Sequence, residues 1–139
     1  MNPRFRTSMM LLGVLLAGCA SDDGDFANDP RPPAPITVTA TISEKAITVS
    51  PLKFGGGPVV FIIANQTDAA HQITLESDTS NGPGIRQTTS KINPDGTASL
   101  KVDMKAGAYD LSAPDESIRP ARITVGPPRE SAQNELLQP

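Results

Sequence analysis

Two side chains capable of metal or nucleophilic chemistry occur only once each in this chain of 139 residues, His71 and Cys19. A structural zinc site takes four nitrogen or sulfur ligands, and a blue-copper site takes two imidazoles and a thiolate, so neither can form from this set. The Gly-x-Ser-x-Gly and His-Glu-x-x-His motifs of hydrolases are also absent. We therefore predict no catalytic residue, no metal site and no cofactor, and a protein that is not an enzyme.

His71 opens a run of alternating residues in which Ile73 and Leu75 share its face. Its imidazole has three interpretations: a structural hydrogen bond, a weak exposed contact to a metal ion, or a general base. Metal binding needs a second ligand and base catalysis needs a nucleophile, and neither is evident. The hydrogen bond is favoured, and His71 is only a weak candidate for a metal ligand.

Cys19 ends a segment with the three parts of a secretory signal. Arg4 and Arg6 form a positive head, residues 9–17 form an apolar run, and Leu16-Ala17-Gly18-Cys19 follows. The apolar run is too short for a membrane-spanning helix, which needs about 20 residues. The tetrapeptide resembles the lipobox of bacterial lipoproteins, in which the signal is cut before the Cys and the sulfur carries a diacylglycerol.

This resemblance implies a signal peptide over residues 1–18 and a membrane anchor on Cys19, at the extracytoplasmic face of the cell membrane or outer membrane. Ala20, where family members kept at the inner membrane often carry Asp, favours the outer membrane. Two or three acyl chains hold a small domain durably on a bilayer. The sequence therefore predicts a lipid-anchored protein of the cell envelope.

Cleavage before Cys19 removes Arg4 and Arg6 and leaves 10 basic against 15 acidic residues, a net charge of −5. Such a surface repels a phosphate backbone, so we predict no nucleic-acid partner. Residues 19–35 are acidic, rich in Pro and nearly free of large apolar side chains, which is typical of a disordered tether. Asp22, Asp23 and Asp25 within it are interpreted as solvated spacer charges.

Alternating apolar and polar residues begin at Ile36 and continue to Val125. No amphipathic helical pattern interrupts them, and the spacing is typical of an all-β, Greek-key antiparallel β-sandwich of about seven strands. The predicted strands cover residues 36–42, 46–49, 59–64, 71–76, 98–104, 109–111 and 121–125. Residues 36–125 therefore form the predicted domain, and residues 126–139 a flexible C-terminal tail.

Turn signals separate these strands. Residues 55–58, Gly-Gly-Gly-Pro, predict a flexible turn, residues 77–91 a long polar loop, and residues 93–96, Asn-Pro-Asp-Gly, a tight turn. Tyr109 at the start of the sixth strand has two interpretations, a tyrosine corner with a buried hydroxyl or a ring at the rim with its hydroxyl in water.

The order of these features resembles the cupredoxin-like fold. The residues that carry the resemblance are 51–54 (Pro-Leu-Lys-Phe), 59–65 (Val-Val-Phe-Ile-Ile-Ala-Asn), His71, 94–96 (Pro-Asp-Gly) and 105–111 (Lys-Ala-Gly-Ala-Tyr-Asp-Leu). In copper-carrying members, a His at the position of His71 is one ligand. A Cys after the Gly-x-Tyr strand, a second His and usually a Met complete the site. This chain has none of those three after Tyr109, so the resemblance implies a domain without type 1 copper.

These expectations favour a binding or structural role in the cell envelope. End loops of a β-sandwich vary freely while the sheets hold them, so an envelope protein partner is expected at residues 65–70, 77–91 or 112–119. The alternative is envelope metal handling, with His71 and loop carboxylates taking up copper. The sequence identifies neither individual binding residues nor an oligomeric state.

Overall fold

A computed structural model describes residues 31–78 and 84–131. The predicted signal peptide, Cys19, most of the predicted tether and residues 132–139 lie outside these ranges. Regular structure within the described residues is β-strand only, and no helix long and apolar enough to cross a membrane is found among them. The eight strands are β1 (Ile36–Ile42), β2 (Ile47–Ser50), β3 (Lys53–Asn65), β4 (Thr74–Ser77), β5 (Arg86–Thr88), β6 (Thr97–Met104), β7 (Gly107–Ser112) and β8 (Ala121–Pro128).

The strands form two sheets that share β3. The first sheet has the order β2-β1-β3-β6 and the second has the order β3-β8-β7-β4-β5. Pairs β1–β3 and β3–β8 are parallel, and the other five named pairs are antiparallel. The predicted all-β sandwich is confirmed, with one strand more than expected and with mixed rather than purely antiparallel pairing.

One hydrophobic core lies between the sheets. Val38, Phe61 and Ile63 enter it from the first sheet and Leu111 and Ile123 from the second, each fully buried. Because side chains alternate along a strand, the Thr residues between the buried positions of β1 face outward. Residues 59–64 of β3 are central, since they pair with β1 on one side and β6 on the other. Only one face of them is buried, and Ile62 on the other face is 39% exposed.

The predicted flexible turn at residues 55–58 is wrong. These residues are part of β3, where the strand passes from one sheet to the other: Gly55 pairs with Gly126 of β8, and Gly57 pairs with Met104 of β6. The ladder with β8 shifts between Gly55 and Gly56, and Gly57 has a φ of 121°, a conformation that favours glycine. The glycines therefore allow an irregular strand crossing.

The segment from His71 to residue 91 also differs from the prediction. β4 begins at Thr74, whereas His71 joins the fold through an isolated bridge to Ile92. The predicted polar loop contains β5, which pairs with β4. Arg-Gln-Thr has no alternation of apolar residues, so β5 gave no sequence signal. The predicted turn at residues 93–96 is present, with a hydrogen bond of 2.9 Å from the Gly96 amide to the Asn93 carbonyl.

The described ends of the chain are more ordered than predicted. β8 continues to Pro128, three residues beyond the boundary predicted at residue 125. The amide of Arg129 then donates to the Gly56 carbonyl at 3.0 Å. Near the other end, the carbonyl of Ala34, in the predicted tether, accepts a hydrogen bond from the Arg129 side chain. Ala34 and residues 126–129, which the sequence assigned to the two flexible segments, are therefore held against the sandwich.

Tyr109 forms a tyrosine corner. Its ring is buried, with 3% of the residue exposed, and its hydroxyl donates to the Lys105 carbonyl at 2.9 Å. The Lys105 amide donates back to the same hydroxyl at 3.2 Å. The hydroxyl therefore holds the turn between β6 and β7 against the end of the core, and the interpretation with a solvated hydroxyl is wrong.

Tyr109→Phe is expected to lower the free energy of unfolding by about 1 to 2 kcal/mol, because the Lys105 amide and the Lys105 carbonyl each lose their hydrogen-bond partner. Urea denaturation measures this loss. Thr124→Val, which removes an exposed hydroxyl from β8, is the control and is expected to stay within about 0.5 kcal/mol of the native chain. Equal effects of the two substitutions would contradict the role given to the Tyr109 hydroxyl.

Candidate functional site

The candidate site is the end of the sandwich that carries His71. The strand ladder defines this end: Ile42 at the end of β1 pairs with Asn65, and Ile36 at its start pairs with Val59. The two ends of β1 are about 20 Å apart, because the strand advances about 3.3 Å per residue over six residues. We call the end near Ile42, Asn65 and His71 the loop end, and the end near Ile36 and Val59 the tether end.

His71 is held at the loop end by its backbone. Its amide donates to the Ile92 carbonyl at 3.1 Å, and its carbonyl accepts from the Ile92 amide at 2.8 Å. The residue is half-buried, and its imidazole makes no hydrogen bond to another described residue. The ring hydrogen bond favoured from the sequence is therefore not found among the described residues, and the backbone bridge to Ile92 positions His71 instead.

Asn65 organises the loop that precedes His71. The side chain is 1% exposed, and its amide nitrogen donates to the carbonyls of Ala69 at 2.7 Å and Ile92 at 2.9 Å. Its Oδ1 accepts from the Thr67 amide at 3.0 Å and from the Thr67 hydroxyl at 2.8 Å. One buried amide thus ties the loop both to itself and to the segment beside His71.

Sequence reasoning missed this role. Asn65-Gln66-Thr67 fits a glycosylation sequon, but the Asn65 nitrogen is buried and already donates twice, so it is not accessible to a glycan. The available signal was an Asn at the end of a strand with Thr two residues later, a pattern typical of side-chain capping of a turn.

The loop between β7 and β8 is the second part of the site. The Asp115 Oδ1 atom accepts from the Ser117 amide at 2.9 Å and the Ser117 hydroxyl at 2.7 Å. Ile118 is buried in the core, and Arg119 bonds through its backbone to Lys45 and Ile47. The loop is therefore closed within itself and fastened at its far side to the turn between β1 and β2.

Electrostatics agree with this arrangement. The two hydrogen bonds from Ser117 lower the pKa of the Asp115 carboxyl below its ordinary value, and the nearby His71 lowers it slightly further. His71 and Asp115 therefore share the loop end, although they lie 44 positions apart in sequence. Asp115 and Glu116 are both exposed.

The residues at the loop end do not fit a type 1 copper ion. Copper in that geometry depends on a thiolate and two imidazoles, and the loop between β7 and β8 supplies neither. The described residues contain no group of three or more His, Cys, Asp or Glu side chains placed to hold a metal ion. The donor set is one imidazole and carboxylates, one of which is already engaged by Ser117.

Comparison with known proteins identifies the architecture. No protein-family model matches the chain, and no characterised protein matches it in sequence. Auracyanin B matches with a TM-score of 0.55 and 17% identity over 68% of this chain and 91% of that one. Auracyanin A, a blue copper protein from the green thermophilic photosynthetic bacterium Chloroflexus aurantiacus, matches with a TM-score of 0.54 and 16% identity over 67% of this chain and all of that one. The fold is cupredoxin-like.

This likeness confirms the fold expected from the sequence and extends to nothing further. Cupredoxins and this chain share the sandwich, and at these identities the ligand set has to be judged from the chain's own residues. The position expected for one ligand holds His71. The segment expected to supply the others begins with Ser112 and Ala113 and is fastened by Asp115, Ser117 and Ile118.

Of the three segments predicted to lie beside His71, residues 77–91 do so only in part. Residues 65–70 and 112–119 lie at the loop end, whereas residues 77–91 begin at the tether end, where Ser77 pairs with Tyr109. They reach the loop end only at their other end, where Gln72 donates to the Thr89 carbonyl at 3.3 Å. The segment that begins at Ser77 therefore starts at the tether end and returns through β5. The error arose because β4 was predicted without its direction relative to β7.

Asn65→Ala is expected to destabilise the domain by about 3 kcal/mol, since it leaves buried carbonyls and a buried amide without partners. Asn65→Asp is expected to cost more at neutral pH, because a carboxylate oxygen replaces the donor facing two carbonyl oxygens. Burial raises the pKa of such an introduced carboxyl, so the extra loss should shrink as the pH falls below that raised pKa and the carboxyl becomes a donor. Urea denaturation at several pH values tests this, with Gln66→Ala as the exposed control.

Ser117→Ala is expected to raise the pKa of Asp115 toward its ordinary value, because the hydroxyl makes the largest contribution that lowers it. A carboxyl with a lowered pKa stabilises the fold above its ordinary pKa and loses that effect as the pH falls through the lowered value. Carboxyl carbon NMR titration measures the shift directly. Ser99→Ala on β6 is the control, and an unchanged Asp115 titration in Ser117→Ala would refute the assignment.

Proposed function

We propose that this chain is a lipoprotein of the cell envelope whose copper-free, cupredoxin-like domain binds a protein partner through its loop end. Acylated Cys19 anchors it at the extracytoplasmic face of a membrane, and the domain performs no catalysis. The observation that carries the proposal is the state of the loop end. The site that would hold copper in this fold has kept one imidazole, while its loops are fastened by hydrogen bonds and a buried Ile118.

A fastened loop end suits recognition because little conformational entropy is lost on binding. The loop before His71 is held by Asn65, and the loop after β7 is held by Ile118 and Arg119. Both would present the same side chains in the free and bound protein. Preorganised contacts of this kind are typical of binding surfaces on β-sandwiches.

The position of the loop end also supports the proposal. The segment that leads back toward Cys19 joins the domain at Ile36, at the tether end. A partner approaching from the side away from the membrane would therefore meet the loop end first. The exposed side chains there include Ala69, Ala70 and Pro114, beside the carboxylates of Asp115 and Glu116. Lys45 and Arg119 are exposed at the same end, so the surface carries both signs of charge. Such a surface fits a protein partner with small apolar contacts and a charged rim.

The anchor is tested by replacing the acylated residue. Cys19→Ser is expected to move the protein from the membrane fraction to the soluble envelope fraction and to abolish labelling by a fatty acid. Ser21→Ala, two residues away, is the control and should remain membrane-bound. Membrane retention of Cys19→Ser without any acyl label would contradict a lipid anchor.

The binding end is tested with a photocrosslinking amino acid placed on each end of the domain in living cells. Ala70 or Glu116 at the loop end is expected to give a discrete crosslinked species. Ala106, exposed in the turn between β6 and β7 at the tether end, is the matched control and should give none. The binding role is refuted by crosslinks from Ala106 alone, or by no discrete species from either loop-end position.

A further inference from the structure

Arg129 lies directly after β8, and its guanidinium contacts backbone oxygens from two other parts of the chain. Nε donates to the carbonyls of Gly55 at 3.2 Å and Gly56 at 3.1 Å, and Nη2 donates to the Pro58 carbonyl at 2.6 Å. Nη1 donates to the Ala34 carbonyl at 2.6 Å. No ion pair with a described carboxylate accompanies these bonds. The cation is satisfied by four carbonyl dipoles.

The glycines of β3 make room for this side chain. A Cβ on Gly55 would lie 2.7 Å from the Arg129 Cγ, and a Cβ on Gly57 would lie 3.1 Å from Nη2 and 2.6 Å from the Pro33 Cγ. Gly57 also has the positive φ noted above. The run of glycines is therefore a socket for Arg129 and Pro33, which gives this motif a role beyond the crossing of sheets.

The segment on the far side of the socket is rich in proline. Pro32, Pro33 and Pro35 have no backbone N–H and cannot donate to a strand ladder. The Arg129 bond reaches Ala34 across 95 positions of sequence. A hydrogen bond from a charged donor is stronger than one between neutral groups, and a guanidinium holds several acceptors in a set geometry.

We propose that Arg129 is a strap that fastens the segment before β1 to the domain, so that the rigidity of Ala34 depends on the Arg129 guanidinium. The path of the chain at Pro33 and Ala34 is then set by the socket and by the hydrogen bond to Ala34. The strap does not depend on acylation of Cys19.

The test is nitrogen-15 relaxation of the full chain, read at the amide of Ala34. The native chain is expected to give an order parameter near the rigid value of about 0.85, and Arg129→Ala is expected to lower it below about 0.6. The Ile63 amide in the core should not change, which shows that the variant remains folded. Arg129→Lys keeps the positive charge but lacks the planar guanidinium, so its Ala34 order parameter is expected to lie between those of the native chain and Arg129→Ala.

Arg122→Ala is the matched control, since Arg122 is an exposed arginine of β8 that pairs with Asp78 and Asp110 on the outer face of the sheet. It should leave Ala34 as rigid as in the native chain. If Arg129→Ala does not fold, Arg129→Lys is compared with Arg122→Lys in the same way. The strap is refuted if Ala34 is already mobile in the native chain, or if the Arg129 variants leave it as rigid as the Arg122 variants do.

Discussion

The structure depends on one hydrophobic core packed between two sheets. The chain has a single Cys, so no disulfide within it can reinforce the fold. Stability must come from burying side chains such as Phe61, Ile63 and Ile123, because apolar burial is the main favourable term in folding. That burial also sets strand register, since a shift by one residue would turn every buried side chain outward. The positions of the loops at both ends follow from this register.

At the two ends of the sandwich, different side chains provide hydrogen-bond partners for the backbone. A strand that leaves a sheet exposes backbone groups that need new partners. At the loop end the Asn65 amide and the Asp115 carboxylate provide them locally. At the tether end the Tyr109 hydroxyl holds one turn, and the Arg129 guanidinium gathers four carbonyls from separate segments. Hydrogen bonds made by these four side chains thus hold the turns and loops at both ends of the described sandwich.

Much of this fold is visible in the sequence, and the failures have physical reasons. Strict alternation located β1, β6 and most of β8, because a half-buried strand requires it. The same rule missed β5, where pairing is decided by backbone contacts to β4 and the side chains are polar. It also misplaced the Gly-Gly-Gly-Pro segment, because a strand that changes sheets needs glycine just as a turn does. Sequence patterns indicate which residues are buried but not which loops share an end.

The candidate site was only partly predictable for a related reason. His71 was visible as the one imidazole in the chain, and the missing Cys and His were visible after Tyr109. Asn65 and Ser117 act through hydrogen bonds that depend on loop conformation. The Asn-x-Thr spacing hinted at the role of Asn65, but the residue types alone did not identify either bond. Arg129 acts on residues 71 to 95 positions away, and its partners are main-chain oxygens that any sequence supplies. Only the assembled sheets bring these groups together.

The central claim is that the chain keeps a cupredoxin-like scaffold without the ligands for copper. Titration of the purified chain with copper, followed by visible absorption and by heat of binding, tests it most directly. We expect no blue species to form. We also expect the native chain and His71→Ala to give the same titration, with no micromolar complex of one copper ion per chain in either. A blue complex, or a stoichiometric complex lost in His71→Ala, would contradict it and favour a role in metal handling.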